Sequence, residues 1–273
     1  MSKKIYEMVT NQIIEKLEQG TIPWEMPFQN GLPVNYVTQK PYRGINAWLL
    51  DGGEYATFKQ ITDNGGKVKK GAKSKMVVFW KLIDIEDEDT GEEAKVPLMR
   101  YYRVFKIGEQ TEGIEPKRKN DNYNHNPIEE AESIIKGYKN SPAYTSNSGA
   151  AYYRPSEDVV NVPPKTDFKE IEAYYSTFFH EIIHSTGHTT RLNREGITEF
   201  NGFGTEKYSK EELVAELGAS MLCAIAGIEN ATLDRSASYI ESWLKVLKDD
   251  KTMIISASQQ AQKAVDYIQG IEF

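Results

Sequence analysis

His180-Glu181-Ile182-Ile183-His184-Ser185-Thr186-Gly187-His188 holds three of the chain's four histidines. Each helical residue turns by about 100°, so positions 180 and 184 stand about 40° apart, one turn above the other. Two imidazoles so placed can grip one tetrahedral metal, usually zinc. Glu181 lies beside them, close enough to take a proton from water that such a metal polarises. The plainer reading is two core histidines flanking a glutamate. The surrounding residues favour a helix either way. Asp167 with Glu170 spells a capping box. Ile171, Tyr174, Tyr175, Phe178 and Ile182 recur at helical spacing and form a core face, while Ala173, Thr177, His180 and His184 form a second stripe. Gly187 is a natural stop. The spacing predicts a helix of about twenty residues with the motif in its last turns.

Two histidines leave a metal short of ligands, since a zinc hydrolase has three protein ligands and one open position. No H-x-x-G-x-x-H continuation follows, so the third ligand must come from elsewhere. The best source is Ser209-Lys210-Glu211-Glu212-Leu213-Val214-Ala215-Glu216, where Glu212 and Glu216 share one helix face. This segment resembles the E-x-x-A-[D/E] helix of gluzincin-type peptidases. The resemblance implies Glu212 as metal ligand and Glu216 as the carboxylate that steadies a ligand histidine; the reverse assignment stays open. Ser209 and Glu212 also spell a capping box, a purely structural alternative. His188 is a further ligand candidate, disfavoured because Gly187 turns the chain away. Tyr208, His188 and Arg191 are candidates to stabilise an oxyanion.

At 273 residues and 39% hydrophobic content the chain can bury real cores. No apolar stretch approaches a membrane span, and the N-terminus opens an amphipathic helix rather than a signal peptide. One cysteine, Cys223, excludes an internal disulfide and suits a reducing cytoplasm. The net charge of −7 hides an asymmetry. Residues 1–83 hold 12 Lys and Arg against 7 Asp and Glu, a balance of +5; residues 126–273 hold 14 against 22, a balance of −8. Only the first part can readily meet a polyanion.

The expected architecture is α+β in two domains. Residues 1–116 read as an α+β module: a helix over 4–19, an aromatic proline-rich loop, helices from Tyr42 and over 58–64, then strand 76–83 returning as 96–107 through an acidic turn at 86–93. The polar, breaker-rich run 117–127 reads as a linker. Residues 128–273 read as a mainly helical domain with a small antiparallel hairpin at 150–162 and helices over 209–227, 234–248 and 252–269.

Both halves resemble the ArdC antirestriction proteins of conjugative plasmids and other mobile elements. The N-terminal likeness rests on Pro23-Trp24, Tyr42-Arg43-Gly44-Ile45-Asn46, Thr57-Phe58-Lys59-Gln60, Phe79-Trp80 and Tyr102-Arg103-Val104-Phe105. The C-terminal likeness rests on the histidine motif, Arg191-Leu192-x-Arg194, Glu211-Glu212-Leu213-Val214-Ala215-Glu216 and Ser242-Trp243-Leu244-x-x-Leu247. The resemblance implies a single-stranded DNA-binding domain joined to a zincin-like metallopeptidase domain, holding Zn2+ or another divalent transition metal, and a role in protecting incoming DNA. Single-strand binding needs cations for the backbone and aromatic faces for bases. The candidates are Lys67, Lys69, Lys70, Lys73 and Lys75, with Trp24, Phe28, Trp48 and Trp80. Two rivals remain: a DNA-binding module whose metal site is structural or vestigial, and a peptidase with no nucleic-acid partner.

Overall fold

The computed structural model describes residues 2–25, 32–86, 93–118, 126–199, 206–228 and 237–271. The chain divides into two compact units: Met1–Ile13 with Leu32–Asp121, and Ile14–Gly31 with Asn122–Phe273. The two-domain α+β expectation holds. The acidic turn at 87–92 and most of the run 117–127 lie outside the described residues.

Helix α1 (Ser2–Glu18), which belongs to the first unit up to Ile13 and to the second from Ile14, buries Ile5, Val9, Ile13 and Leu17, the apolar stripe that its period predicts. The first unit continues with β1 (Val34–Asn35), the single turn α2 (Asn46–Leu49), β2 (Glu54–Thr57), α3 (Phe58–Asp63), β3 (Lys67–Val68), β4 (Lys75–Glu86), β5 (Glu93–Lys106) and β6 (Thr111–Glu112). Its main sheet has the order β1-β2-β5-β4, with β1 and β2 parallel and the other pairs antiparallel. Two apolar clusters pack against it: Tyr36, Ala56, Ile61, Ile107 and Ile114, and Tyr42, Leu50, Tyr55, Val77 and Val104. Thr57 and Gln60 start α3 with a reciprocal capping box. The helix expected from Tyr42 shrinks to one turn. There the Asn46 amide pairs with both backbone groups of Val78 at 2.8 Å, closing the edge of β4 at that residue.

The second unit adds α4 (Pro127–Gly137), β7 (Ala143–Thr145), β8 (Tyr152–Arg154), β9 (Val159–Asn161), α5 (Ile171–Ser185), α6 (Glu195–Thr198), α7 (Glu206–Ala226), α8 (Ala237–Asp249) and α9 (Met253–Gln269). β8 and β9 form the expected hairpin; β7 joins β9 in parallel, a pairing with no local signal. α5 is shorter than expected and starts at Ile171. Lys165–Asp167 forms a separate 3-10 turn and Phe168 is extended, so Asp167 cannot cap the helix. α7 packs on α5 and α9 around Tyr175, Phe179, Ile182, Ile183, Leu213, Leu217, Met221 and Ile254, all but absent from the surface. Cys223 is buried here, and burial pushes its thiol up to about 12, as befits a core residue. α9 ends at Gly270, whose φ of 67° suits glycine. No helix among the described residues is long and apolar enough to cross a membrane.

Candidate metal centre

α5 carries His180 and His184 on the stripe that faces α7, and α7 presents Glu212 to them. One donor atom from each of the three lies within 4.8 Å of the others. The two Nε2 atoms are 3.1 Å apart. Glu212 Oε2 is 3.5 Å from His180 Nε2, and Oε1 is 3.6 Å from His184 Nε2. A tetrahedral ion with ligands at about 2.0–2.1 Å sets its donor atoms about 3.3 Å apart, and the two nitrogens and the Glu212 carboxylate lie near that separation, each nitrogen facing a different carboxylate oxygen. The capping-box alternative for Glu212 falls, because α7 begins at Glu206 and Ser209 lies inside it.

The environment holds the donors in place. Glu211, next in sequence to Glu212, points to the other side of His184 and receives its Nδ1–H at 3.2 Å. That bond fixes the proton on Nδ1 and leaves the Nε2 lone pair facing the cluster. Arg194 grips the Glu211 carboxylate with two donors, Nη2 to Oε1 at 2.6 Å and Nε to Oε2 at 2.9 Å. The same guanidinium donates to the Ile183 carbonyl at 2.8 Å and to Thr186 Oγ1 at 2.6 Å, so it also closes the C-terminus of α5. Burial opposes the Glu211 charge, but the Arg194 and His184 donors outweigh it and hold the carboxyl below its ordinary range. At His180 burial favours the neutral ring; the Glu212 contact and the charges of Glu181, Glu216 and Glu212 prevail and raise the imidazole to about 9. Proton and metal ion therefore compete for this nitrogen.

Glu181 is buried beside His180. Glu216, one turn beyond Glu212, accepts a hydrogen bond from Tyr239, and burial raises its carboxyl above the ordinary range. Tyr239 in turn receives the Trp24 indole N–H at 3.4 Å. Glu216 was expected to steady a ligand histidine; at His184 the carboxylate on Nδ1 is Glu211. His188 stands outside the three-donor cluster, half-buried, with Nδ1 2.9 Å from Thr190 Oγ1. The Arg191 guanidinium is committed elsewhere: to Asp158, to the Ser185 carbonyl at 2.7 Å, the Asn140 carbonyl at 3.0 Å and the Tyr153 hydroxyl at 3.3 Å. That set makes it a structural clamp and removes it as an oxyanion candidate. The Tyr208 side chain lies outside the described residues. Glu211 and Arg194 had motif status without a role; the usable clue is that a buried carboxylate requires a cation, and Arg194 supplies it.

The expected nucleic-acid contacts divide. Trp24 and Trp48 are 0% and 1% exposed, so neither offers a face to a base. Phe28 lies outside the described residues. Trp80 is 43% exposed and meets Tyr6 edge-on at 6.3 Å. Lys67, Lys70 and Lys73 are exposed. Lys69 donates to the Gly108 and Glu109 carbonyls at 3.2 and 2.9 Å, and Lys75 pairs with Asp51.

Two family models match in sequence, the N-terminal domain of anti-restriction factor ArdC over residues 3–105 and a zincin-like metallopeptidase over residues 129–260. An uncharacterized protein, y4eC of Sinorhizobium fredii, is 32% identical over 97% of this chain and 91% of its own length. Two DNA primase TraC proteins of Escherichia coli are 33% and 32% identical over 99% and 100% of the chain, which spans only 20% and 28% of their lengths. Two crystal structures of the antirestriction ArdC protein from plasmid R388 superpose with a TM-score of 0.78 over 97% of both chains, the metal-free form at 35% identity and the Mn(II)-bound form at 32%. Whole-length likeness at this identity, over both units, makes the chain a member of the ArdC antirestriction family, with an ArdC-type N-terminal domain followed by a zincin-like domain.

Proposed function

We propose that the first unit binds single-stranded DNA and that the second is a metal-dependent peptidase, acting together in the cytoplasm in defence of a mobile element's DNA. The observation that carries the peptidase half is the convergence of His180, His184 and Glu212, one donor atom from each within 4.8 Å of the others, beside the buried Glu181. The Mn(II)-bound relative supports a divalent metal in the family. Two imidazoles and one carboxylate suit zinc, which we assign as the native ion. When bound, such an ion supplies Lewis-acid polarisation of water and of a peptide carbonyl. The chain's own residues do the rest. Glu211 and Arg194 keep His184 in the tautomer that presents Nε2. Glu181 accepts the proton of the attacking water and delivers it to the leaving amine nitrogen.

Glu181→Gln tests this reading, because it removes the base and spares the three donors. Metal content of parent and variant should be equal, and hydrolysis of an unfolded protein such as casein should fall about 100- to 10,000-fold. Equal cleavage by both would remove Glu181 from the chemistry. A fully metallated parent that cleaves nothing would turn the assignment to a structural metal.

A further inference from the structure

β4 and β5 pair with Val77 opposite Tyr102, Phe79 opposite Arg100 and Lys81 opposite Leu98. Opposed residues share a face and side chains alternate with a period of two, so positions 75, 77, 79 and 81 lie on one side with 98, 100, 102 and 104. At the inner end of that side Val77 and Val104 are buried with Tyr42, Leu50 and Tyr55. Beyond them the side opens to water, with Phe79 45% and Tyr102 44% exposed. The Phe79 ring lies 6.3 Å from Tyr42 and 5.8 Å from Tyr102, so three rings stand in a row with a buried one as anchor. The fold gains little from leaving such large rings in solvent.

Charge singles out the partner. Residues 75–81 and 98–106 contain Lys75, Lys81, Arg100, Arg103 and Lys106 and not one carboxylate. Lys75 is paired with Asp51 and Lys106 with Glu109. Arg100 and Lys81 flank Phe79 on the open side.

We propose that this side of the β4–β5 hairpin is the stacking platform for single-stranded nucleic acid, with successive bases on Phe79 and Tyr102 and the phosphates at Arg100 and Lys81. The proposal rests on the DNA-binding reading above and locates it on the hairpin, beyond Lys67, Lys69, Lys70 and Lys73. Exposed bases reach the rings; the bases of a duplex, already stacked and paired, do not.

The experiment uses the full-length chain and a fluorescein-labelled oligodeoxythymidine, followed by anisotropy over a salt series. Phe79→Ala and Tyr102→Ala should each weaken binding about 5- to 150-fold, with the salt slope unchanged, because a stack and no phosphate contact is lost. Phe79→Trp should bind at least as tightly as the parent. Arg100→Gln should lower the log–log salt slope by about 0.7. Thermal unfolding and metal uptake equal to the parent's certify that a variant is folded; Phe79→Leu, which keeps the bulk and lacks the π face, replaces an unfolded alanine variant and should show the same loss. Folded variants that bind as tightly as the parent overturn the platform and leave the DNA reading standing. A parent without affinity at low salt overturns both.

Discussion

The two nitrogens of His184 are divided between two carboxylates, and that division makes the imidazole a fixed donor. Nδ1 is held by Glu211 and Nε2 faces Glu212 and His180. Glu211→Gln should weaken metal binding about 10- to 100-fold, the usual effect of losing the partner that orients a ligand histidine, as read by competition with a chromophoric chelator. Arg194→Ala strands the Glu211 carboxylate in the interior and should cost about 3–5 kcal/mol in urea unfolding. The pH dependence has a definite sign. The folded carboxyl lies below its ordinary 4.5, so its contribution is complete above that value and is lost as pH falls through the depressed one. The stability gap between the parent and Glu211→Gln should therefore narrow below pH 4.5. A gap that stays constant down to full protonation would mean that the Glu211 charge is not its source.

Between elements, the decisive contact is α5 against α7. Gly218 lets them approach: a Cβ there would meet Ile183 Cδ1 at 2.7 Å and Cγ1 at 2.8 Å. Ile183 is buried and cannot swing away. Gly218→Ala should destabilise the protein by about 1–3 kcal/mol. It should also weaken metal binding, since the same separation of helices sets the distance from Glu212 to the histidines. Wild-type affinity in a destabilised Gly218→Ala protein would show that the helices adjust without disturbing the site. In the first unit Asn46 has the comparable role, with one side chain satisfying the edge of β4 at Val78.

For the whole molecule, each unit has its own core, so heating need not unfold the chain in one step. A metal ion held between α5 and α7 binds the folded second unit only. Zinc or manganese at 100 times its dissociation constant should add about 2.7 kcal/mol to that unit. Calorimetry should then show the ion raising the transition of the second unit and a chelator reversing it. The first unit's transition should stay where it is. The double variant His180→Ala with His184→Ala should lose the response; an unchanged shift would place the ion elsewhere.

Local pattern alone determined the elements that carry their own signals. The helical period placed α1, α5, α7 and α9, β-branched and aromatic runs placed β4 and β5, and the spacing of His180 and His184 put both imidazoles on one helix face. Glu212 was also legible, though only as one of two carboxylates on a shared face. What the sequence left open depended on contacts between distant residues. Glu211 looks like any surface glutamate until Arg194, 17 positions earlier, closes on it. Trp24 and Trp48 have the composition of stacking residues and are buried. Phe79 and Tyr102 read as ordinary strand residues, and only the register of β4 on β5 puts their rings side by side in water. Periodicity reports which face of an element is apolar; it does not report which faces meet, and at these positions that pairing decides the chemistry.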